Sequence, residues 1–257
     1  EPLGHSQVLK YLSFLSKDFS ITLISFEKVY NSIDKKEFLE MQQYCLQEKI
    51  NWKPRRYHQG LSLISHLLNF FSVFCSPFIE MLQNGHQIIH IRSYMPGLGM
   101  PLLKIFFNFK LVFDIRGFWA DEKVDRLGWS KNSLKYKFFK VLEIKLFKQA
   151  DIVVTLTESS GEFIRDKFKK LSNSVRVIRT CVDFSEFNAN KRAITPYDFN
   201  RKLVIGYLGS IDTAYDFSLF LRLIKDLDSR GLKIKLKILS KTTPEIVMQY
   251  LKENNLS

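Results

Sequence analysis

Cysteine is scarce in this sequence of 257 residues, which contains only Cys45, Cys75 and Cys181. The three are odd in number, widely separated and without CxxC or His-paired spacing, so they indicate neither a disulfide framework nor a zinc site. We therefore expect a reduced, cytosolic compartment. The opening residues contain neither a basic leader nor an apolar core, so no signal peptide is predicted.

Charge is missing from one long stretch, because residues 61–79 contain no Asp, Glu, Lys or Arg. The stretch approaches the roughly 20 residues that a membrane span requires. Its serines, together with His66, Asn69 and Pro77, make it a poor span. We predict a buried or interfacial helix here rather than a transmembrane one.

Acidic residues are outnumbered, since 26 Asp and Glu stand against 39 Lys and Arg and give a formal net charge of +13. Such an excess favours an anionic partner. Nucleic acid, anionic lipid and the phosphates of a nucleotide-sugar all satisfy this condition, and composition does not rank them. The hydrophobic fraction of 46% is enough for a sizeable core.

A short apolar run at residues 111–113 predicts a buried strand of a parallel sheet. A loop is expected to follow, holding Asp114, Arg116, Trp119 and Asp121. In open α/β sheets, ligands bind at the carboxyl ends of the strands. The sequence therefore predicts a polar site in this loop.

Strand and helix patterns alternate through most of the chain, which predicts an α/β fold with a doubly wound parallel sheet. Before the first predicted strand there is only a glycine turn and a helix, the second half of a βαβ unit. We therefore expect the first strand of that unit to be missing. The predicted strands lie at residues 21–26, 87–91, 110–113, 151–157 and 175–178, and the helices between them at 32–49, 98–107, 130–148 and 158–171.

The pattern breaks near Pro196 and then begins afresh. We predict an N-terminal domain at residues 1–190, a linker at 191–201 and a second domain at 202–257. The second domain opens with a strand and a glycine turn, as the first opens with a glycine turn. It is short for an α/β domain, so we expect it to be only begun.

Six segments of the chain occur in an order that matches a known family. They are PLGHSQVL at 2–9, IHIRSY at 89–94, FDIRGFW at 113–119, ADIVVTLTE at 150–158, VIRTCVD at 177–183 and GYLGS at 206–210. Together they resemble the GT-B glycosyltransferases, specifically the large retaining family often called family four. That family includes bacterial mannosyltransferases and polysaccharide-building enzymes.

The resemblance implies two Rossmann-like domains that face each other across a cleft, the first binding the acceptor and the second the nucleotide-sugar donor. It implies a hexosyltransferase that moves a sugar, with retention, to a glycan or lipid-linked acceptor in cell-envelope polysaccharide synthesis. No cofactor and no essential metal are expected. The expected location is cytoplasmic, peripheral at the inner face of the cytoplasmic membrane, whose anionic surface is a further expected partner.

The resemblance also implies site residues. Arg92, Asp114 and Arg116 occupy catalytic positions, and Arg92 stands where many members place a histidine. Asp114 and Arg116 have a plainer alternative, which is to pair with each other and order the loop. The predicted donor-phosphate-binding residues are Gly4, His5, Gly209 and Ser210, with a loop-ordering role as the alternative for His5.

Tyr94, Trp119 and Glu158 are the predicted acceptor-binding residues. Tyr94 and Trp119 can stack on a sugar ring or belong to the core. Glu158 directly follows a predicted strand, where a glutamate more often starts a helix than binds a ligand.

The chain also departs from the family pattern. Where many members have Asn-Gly-Val-Asp, residues 180–183 are Thr-Cys-Val-Asp. Residues 211–217 contain no Arg or Lys to neutralise a diphosphate. The family's paired glutamates are expected beyond residue 257, so we expect this stretch of sequence to bind donor poorly.

Other interpretations remain open. The lysine-rich segment at 130–148 suits an anionic lipid surface or an ordinary amphipathic helix with a solvated face. The net charge also allows a basic nucleic-acid-binding protein, although no helix-turn-helix, RNP-type strand or zinc spacing supports it and no nucleic acid is expected. Another Rossmann-type enzyme, such as an epimerase or dehydrogenase, is disfavoured because the sequence lacks GxGxxG spacing.

Overall fold

The computed structural model describes residues 5–27, 35–58, 60, 63–171, 174–181, 202–211, 216–254 and 256. The chain forms two compact units, Glu1–Val182 and Asp183–Ser257. Both units contain parallel β-sheets flanked by helices, which confirms the predicted α/β class.

All strand pairs in the first unit are parallel. One sheet contains β1 and β2, and the other has the strand order β3-β4-β5-β6. The strands are β1 (Ile21–Glu27), β2 (Ile50–Arg56), β3 (Ile88–Arg92), β4 (Lys110–Asp114), β5 (Ile152–Thr155) and β6 (Val175–Val177).

Helices connect these strands, as the alternating pattern predicted. A π-helical turn at His5–Leu9 leads into the first helix, and short 3-10 segments occur at Pro96–Gly99 and Lys169–Leu171. The α-helices are α1 (Lys10–Leu15), α2 (Lys35–Gln47), α3 (Leu63–Asn84), α4 (Met100–Phe106), α5 (Trp119–Leu127), α6 (Leu134–Gln149) and α7 (Glu158–Lys167).

Two elements correct the sequence prediction. The strand β2 was not predicted, because it contains Pro54 and three basic residues and no alternating pattern. Among the described strands it pairs with β1 alone, and proline is tolerated on such an edge strand. The predicted loop after Asp114 is also too long, because α5 already begins at Trp119. No side chain caps that helix start, so the sequence carries no capping signal there.

The central strand β4 is buried, as predicted. Leu111, Phe113 and Ile115 have almost no exposed surface. The Phe113 ring meets Tyr94 edge-on with centroids 5.4 Å apart, and Phe147 of α6 lies 5.6 Å away on a tilted ring. These contacts hold β4 against the loop after β3 and against α6, so the carboxyl ends of both strands are rigidly placed.

A buried chain of polar contacts crosses the same region. The Tyr94 hydroxyl donates to Glu143 Oε2 at 2.9 Å, and Lys140 Nζ contacts both Glu143 and Asp121. Asp121 also accepts a hydrogen bond from Tyr136. A buried carboxylate is tolerated when its oxygens are satisfied in this way. Asp121 is therefore a structural partner of α6.

The second unit contains its own parallel sheet of β7 (Leu203–Leu208) and β8 (Ile234–Leu239). The helices α8 (Phe217–Ser229) and α9 (Pro244–Glu253) pack against it. Its core centres on the fully buried Leu221.

The long uncharged segment lies mainly in α3, a 22-residue helix that contains Pro77 and is partly exposed. Across the described part of the chain, no helix combines the length and apolarity needed to cross a membrane.

Asp151, which directly precedes β5, connects the strands at the amino-terminal end of the four-stranded sheet. Its carboxylate accepts from the Leu111 amide at 2.8 Å, from Lys104 at 3.0 Å and from Lys110 at 2.9 Å. Although burial favours the neutral acid, these hydrogen bonds lower the pKa of Asp151 to about 2. Asp151 therefore ties β4 to β5 through its ionised form.

We expect Asp151→Asn to lower the free energy of unfolding by about 1 to 2 kcal/mol at neutral pH. Because the folded pKa lies below the usual value of 3.8, the contribution is present above about pH 4 and is lost as pH falls toward 2. Urea denaturation of wild type and variant across this range measures the difference. Asp166→Asn, at an exposed site on α7, is the control. A stability difference that persists unchanged at low pH would contradict the assignment.

Candidate functional site

Four segments of the first unit meet at the carboxyl edge of β3 and β4. Arg92 ends β3, Asp114 ends β4, and the two are paired in the strand register. Arg116 follows two residues after Asp114. Gln7 comes from the π-helical turn and Thr180 from the segment after β6. Parallel strands bring their carboxyl ends to one edge, where open α/β sheets bind ligands.

Both arginines donate to the same glutamine. Arg92 donates to the Gln7 backbone oxygen at 2.9 Å and to Gln7 Oε1 at 2.8 Å. Arg116 donates to the same Oε1 at 3.0 Å and makes a longer contact of 3.4 Å with Thr180 Oγ1. A neutral amide oxygen thus lies between two guanidinium groups.

Asp114 is the acidic member of this group and is only 5% exposed. Its Oδ1 atom is buried without a hydrogen-bond partner among the described residues. No ion pair joins Asp114 to Arg116 in that part of the chain, although the sequence left such a pair open. A buried carboxylate oxygen without a partner is costly, and such groups are common at functional sites.

The charges in the site influence one another. Desolvation lowers the pKa of Arg92, and the guanidinium of Arg116 lowers it further against the opposing effect of Asp114. Desolvation raises the pKa of Tyr11. The charges of Arg92, Asp114 and Arg116 also act on that pKa. Two arginines against one carboxylate leave a net charge of +1, so an anionic group is attracted to this edge.

The backbone at this edge is strained. Ser93 and Arg116 have φ values of 71° and 56°, in the left-handed region that residues other than glycine seldom adopt. Each such residue costs on the order of 1 kcal/mol. Hydrogen bonds from the Ser93 amide to Asp114 and from the Gly117 amide to Ile115 hold the two turns. Strain of this kind concentrates where a side chain must be aimed at a ligand.

Three residues near the arginines were not predicted as candidates. They are Gln7, Tyr11 and His90. The Tyr11 and His90 rings lie 6.2 Å apart. His90 precedes Arg92 by two residues, so the side chains of His90 and Arg92 face the same side of β3. That alternation was a usable signal for His90. Gln7 belongs to the segment 2–9 that resembles the family. It is 85 residues from Arg92 in the sequence, so no local pattern indicated the contact.

The predicted acceptor-binding residues follow the carboxyl ends of β3, β4 and β5. Tyr94 has no exposed surface, which favours the core role. Trp119 packs on Phe139 at 4.5 Å, with Trp129 at 5.6 Å. Glu158 is exposed in the first turn of α7, the alternative position considered for it. The three side chains are not among the contacts of the arginine pair.

The predicted donor-phosphate residues are only partly described. Gly4 and the His5 side chain lie outside the described residues. Gly209 and Ser210 follow β7 in the second unit, where the Ser210 carbonyl accepts from the Tyr207 hydroxyl at 2.8 Å. The Gly209 amide donates to the Leu239 carbonyl at 3.1 Å.

The edge around Asp114 therefore has two chemical capacities. The guanidinium groups can hold an anion through their planar sets of donors, and Asp114 Oδ1 can accept a hydrogen bond from a hydroxyl group. Within the described ranges, no group of three or more His, Cys, Asp or Glu side chains is arranged to hold a metal ion.

No protein-family model and no curated protein sequence matches the chain. Solved structures do resemble it. Sucrose-phosphate synthase from Thermosynechococcus elongatus has a TM-score of 0.59 at 12% identity, and the match covers 95% of this chain and 60% of the synthase chain. LpCGTa in complex with UDP has a TM-score of 0.52 at 11% identity, and the match covers 93% of this chain and 68% of LpCGTa. MnaA from S. aureus with UDP has a TM-score of 0.47 at 11% identity, and the match covers 91% of this chain and 65% of MnaA.

These likenesses concern the fold alone. The chain spans 60% of the length of the sucrose-phosphate synthase that it resembles. Its fold is α/β of the GT-B type, built from Rossmann-like units, as the sequence predicted.

Proposed function

We propose that this protein is a glycosyltransferase of the retaining, family-four type. It moves a sugar, a hexose in this proposal, from a nucleotide-sugar donor to a glycan or lipid-linked acceptor in cell-envelope polysaccharide synthesis. The GT-B type fold and the six sequence segments support this class. The domain division proposed from the sequence, 1–190, 191–201 and 202–257, assigns the acceptor to the first domain and the donor to the second.

One observation carries the proposal. Asp114 presents a buried oxygen without a partner among the described residues, at a sheet edge that also holds two arginines. Glycosyl transfer between substrates that carry anionic groups requires positive charge to hold those groups, and polar groups that orient the acceptor hydroxyl. The Asp114 edge supplies both kinds of group.

The roles follow from this chemistry. Asp114 Oδ1 accepts a hydrogen bond from a substrate hydroxyl and thereby orients it. Arg92 and Arg116 hold an anionic group of the substrate through preorganised donors, which need no rearrangement during the reaction. No separate catalytic base is assigned, because in a same-face transfer the donor's own phosphate receives the acceptor proton. The reaction needs no cofactor or metal in this proposal.

The donor is proposed to contact the glycine-containing loops at Gly4–His5 and Gly209–Ser210. Glycine permits the close backbone approach that a diphosphate requires. UDP is present in the LpCGTa structure that shares this fold, and a nucleotide diphosphate-sugar is the donor class proposed here.

A membrane surface is proposed as a further partner, with the protein peripheral at the inner face of the cytoplasmic membrane. Several side chains of α6 support it, because they combine exposed apolar groups with lysines that form no ion pair in the described structure. They are Leu134, Lys135, Lys137, Phe138, Val141, Lys145 and Lys148. Anionic headgroups attract such a face at about 1 kcal/mol per lysine.

We expect Asp114→Asn and Arg116→Ala to lower kcat by on the order of a hundredfold, because each removes a preorganised polar group from the transition state. The measurement follows nucleotide release from UDP-, GDP- and dTDP-sugars, with and without acceptor. Asp166→Asn and Arg126→Ala, at exposed positions, should keep wild-type turnover. Unchanged turnover in the two site variants would remove the edge from the mechanism. Absence of transfer with every donor, together with salt-sensitive binding to nucleic acid, would overturn the enzyme class.

We expect the double variant Lys137→Glu/Lys145→Glu to lose most of its binding to vesicles that contain anionic lipid, since each substitution reverses a charge on the exposed face of α6. Vesicle co-sedimentation at physiological salt measures this. Lys169→Glu/Lys170→Glu makes the same charge change on an exposed 3-10 segment and serves as the control. Equal losses in both double variants would show that net charge, and not α6, governs binding.

A further inference from the structure

The contact between Gln7 and the two arginines has an unusual charge balance. Two cationic groups share one neutral amide oxygen at 2.8 and 3.0 Å, while the carboxylate of Asp114 forms no ion pair with Arg116 in the described structure. A carboxylate or phosphate adds Coulomb attraction and further acceptor oxygens to the hydrogen bonds that a guanidinium forms with a neutral amide. Gln7 is therefore a weak occupant of a position that suits an anion.

Contacts with the described residues leave donors of both arginines unused. Each guanidinium carries five N–H donors, and the hydrogen bonds to Gln7 and Thr180 use only part of them. Both side chains are half-buried, so solvent reaches them from one side. A planar or tetrahedral oxyanion can accept from both guanidinium groups at once, as paired arginines commonly bind phosphate or carboxylate.

The position of Gln7 gives the site a way to open. Gln7 lies in a π-helical turn, a conformation that is frequent at functional sites. Only rotation of the Gln7 side chain is needed to remove Oε1 from the arginines, because this atom belongs to neither β3 nor β4. The contact with Thr180 Oγ1 then remains to hold the Arg116 guanidinium.

We propose that Arg92 and Arg116 form a receptor for a phosphate or carboxylate group on the acceptor, and that Gln7 Oε1 occupies one oxygen position of that group in the free protein. This inference rests on the proposed function, because it assigns the anion to the acceptor. The acceptor is favoured over the donor because the proposed domain division assigns the acceptor to the first domain, which contains every side chain of the receptor. Asp114 repels the anion from its own side, which leaves Oδ1 for a neighbouring hydroxyl.

Calorimetric titration with inorganic phosphate tests the receptor without requiring turnover. We expect saturable binding to the wild type and an affinity about tenfold lower in Arg92→Gln and in Arg116→Gln, since each loses a charge-assisted contact. Arg126→Gln makes the same charge change on the exposed end of α5 and should bind phosphate like the wild type. Absence of saturable binding to the wild type, or equal affinities in all four proteins, would overturn the receptor.

Substitution of Gln7 separates a binding role from a structural one. In Gln7→Glu, a tethered carboxylate of the same shape occupies the anion position, so phosphate affinity should fall about tenfold while the melting temperature does not decrease. In Gln7→Ala, the competing oxygen is gone, so phosphate should bind at least as tightly as in the wild type. If Gln7→Ala abolishes phosphate binding, or Gln7→Glu leaves it unchanged, the proposal is wrong. The melting temperature of Gln7→Glu, measured alongside the titration, separates a loss of binding from a loss of folding.

Titration with UDP distinguishes the two sources of the anion. The acceptor assignment predicts that Arg92→Gln and Arg116→Gln weaken phosphate binding and leave UDP affinity unchanged. An equal loss of UDP affinity would assign the arginines to the donor diphosphate and overturn the acceptor assignment. Phosphate binding with the predicted pattern in a protein that transfers no sugar would retain the anion receptor but remove its assignment to an acceptor.

Discussion

The parallel pairing of β3 with β4, in the register that sets Arg92 beside Asp114, is the constraint on which the candidate site depends. A shift of one residue in a strand turns its side chains to the opposite face. The register is fixed from within by Phe113, which contacts Tyr94 on one side and Phe147 on the other. At the amino-terminal end of the strands, Asp151 holds the start of β4 by accepting a hydrogen bond from the Leu111 amide. Packing therefore positions the charged edge, and the charged groups do not need to stabilise one another.

Because apolar packing positions the site and charge pairing does not, the site tolerates features that cost free energy. A buried carboxylate oxygen without a partner among the described residues, two like charges on one amide and two left-handed turns all cost free energy locally. The apolar core beneath them offsets the cost. The buried network of Tyr94, Glu143 and Lys140 shows the contrast, because its polar groups are matched to one another and lie in the interior. These satisfied polar groups support the fold, whereas Asp114 Oδ1, which has no partner among the described residues, lies at the edge where a ligand is expected.

The sequence predicted the parts of this arrangement that depend on local pattern. A buried strand followed by Asp114 and Arg116, and another followed by polar residues at Arg92, were visible from short apolar runs and their ends. The start of α5 was not, because Phe118 precedes it without a side-chain cap. The strand β2 was missed because Pro54 and its basic neighbours obscure the pattern of an edge strand. Gln7 was missed for a different reason: its contact with the arginines is a long-range tertiary contact, which no local pattern encodes.

Substrate is proposed to bind at the carboxyl edge of β3 and β4, and a crystal structure of the protein soaked with nucleotide-sugar and acceptor would show whether it does. We expect a substrate hydroxyl within hydrogen-bond distance, about 3 Å, of Asp114 Oδ1, with an anionic group between the guanidinium groups of Arg92 and Arg116. Bound substrate that contacts none of these three side chains, with Gln7 still held between the arginines, would contradict it.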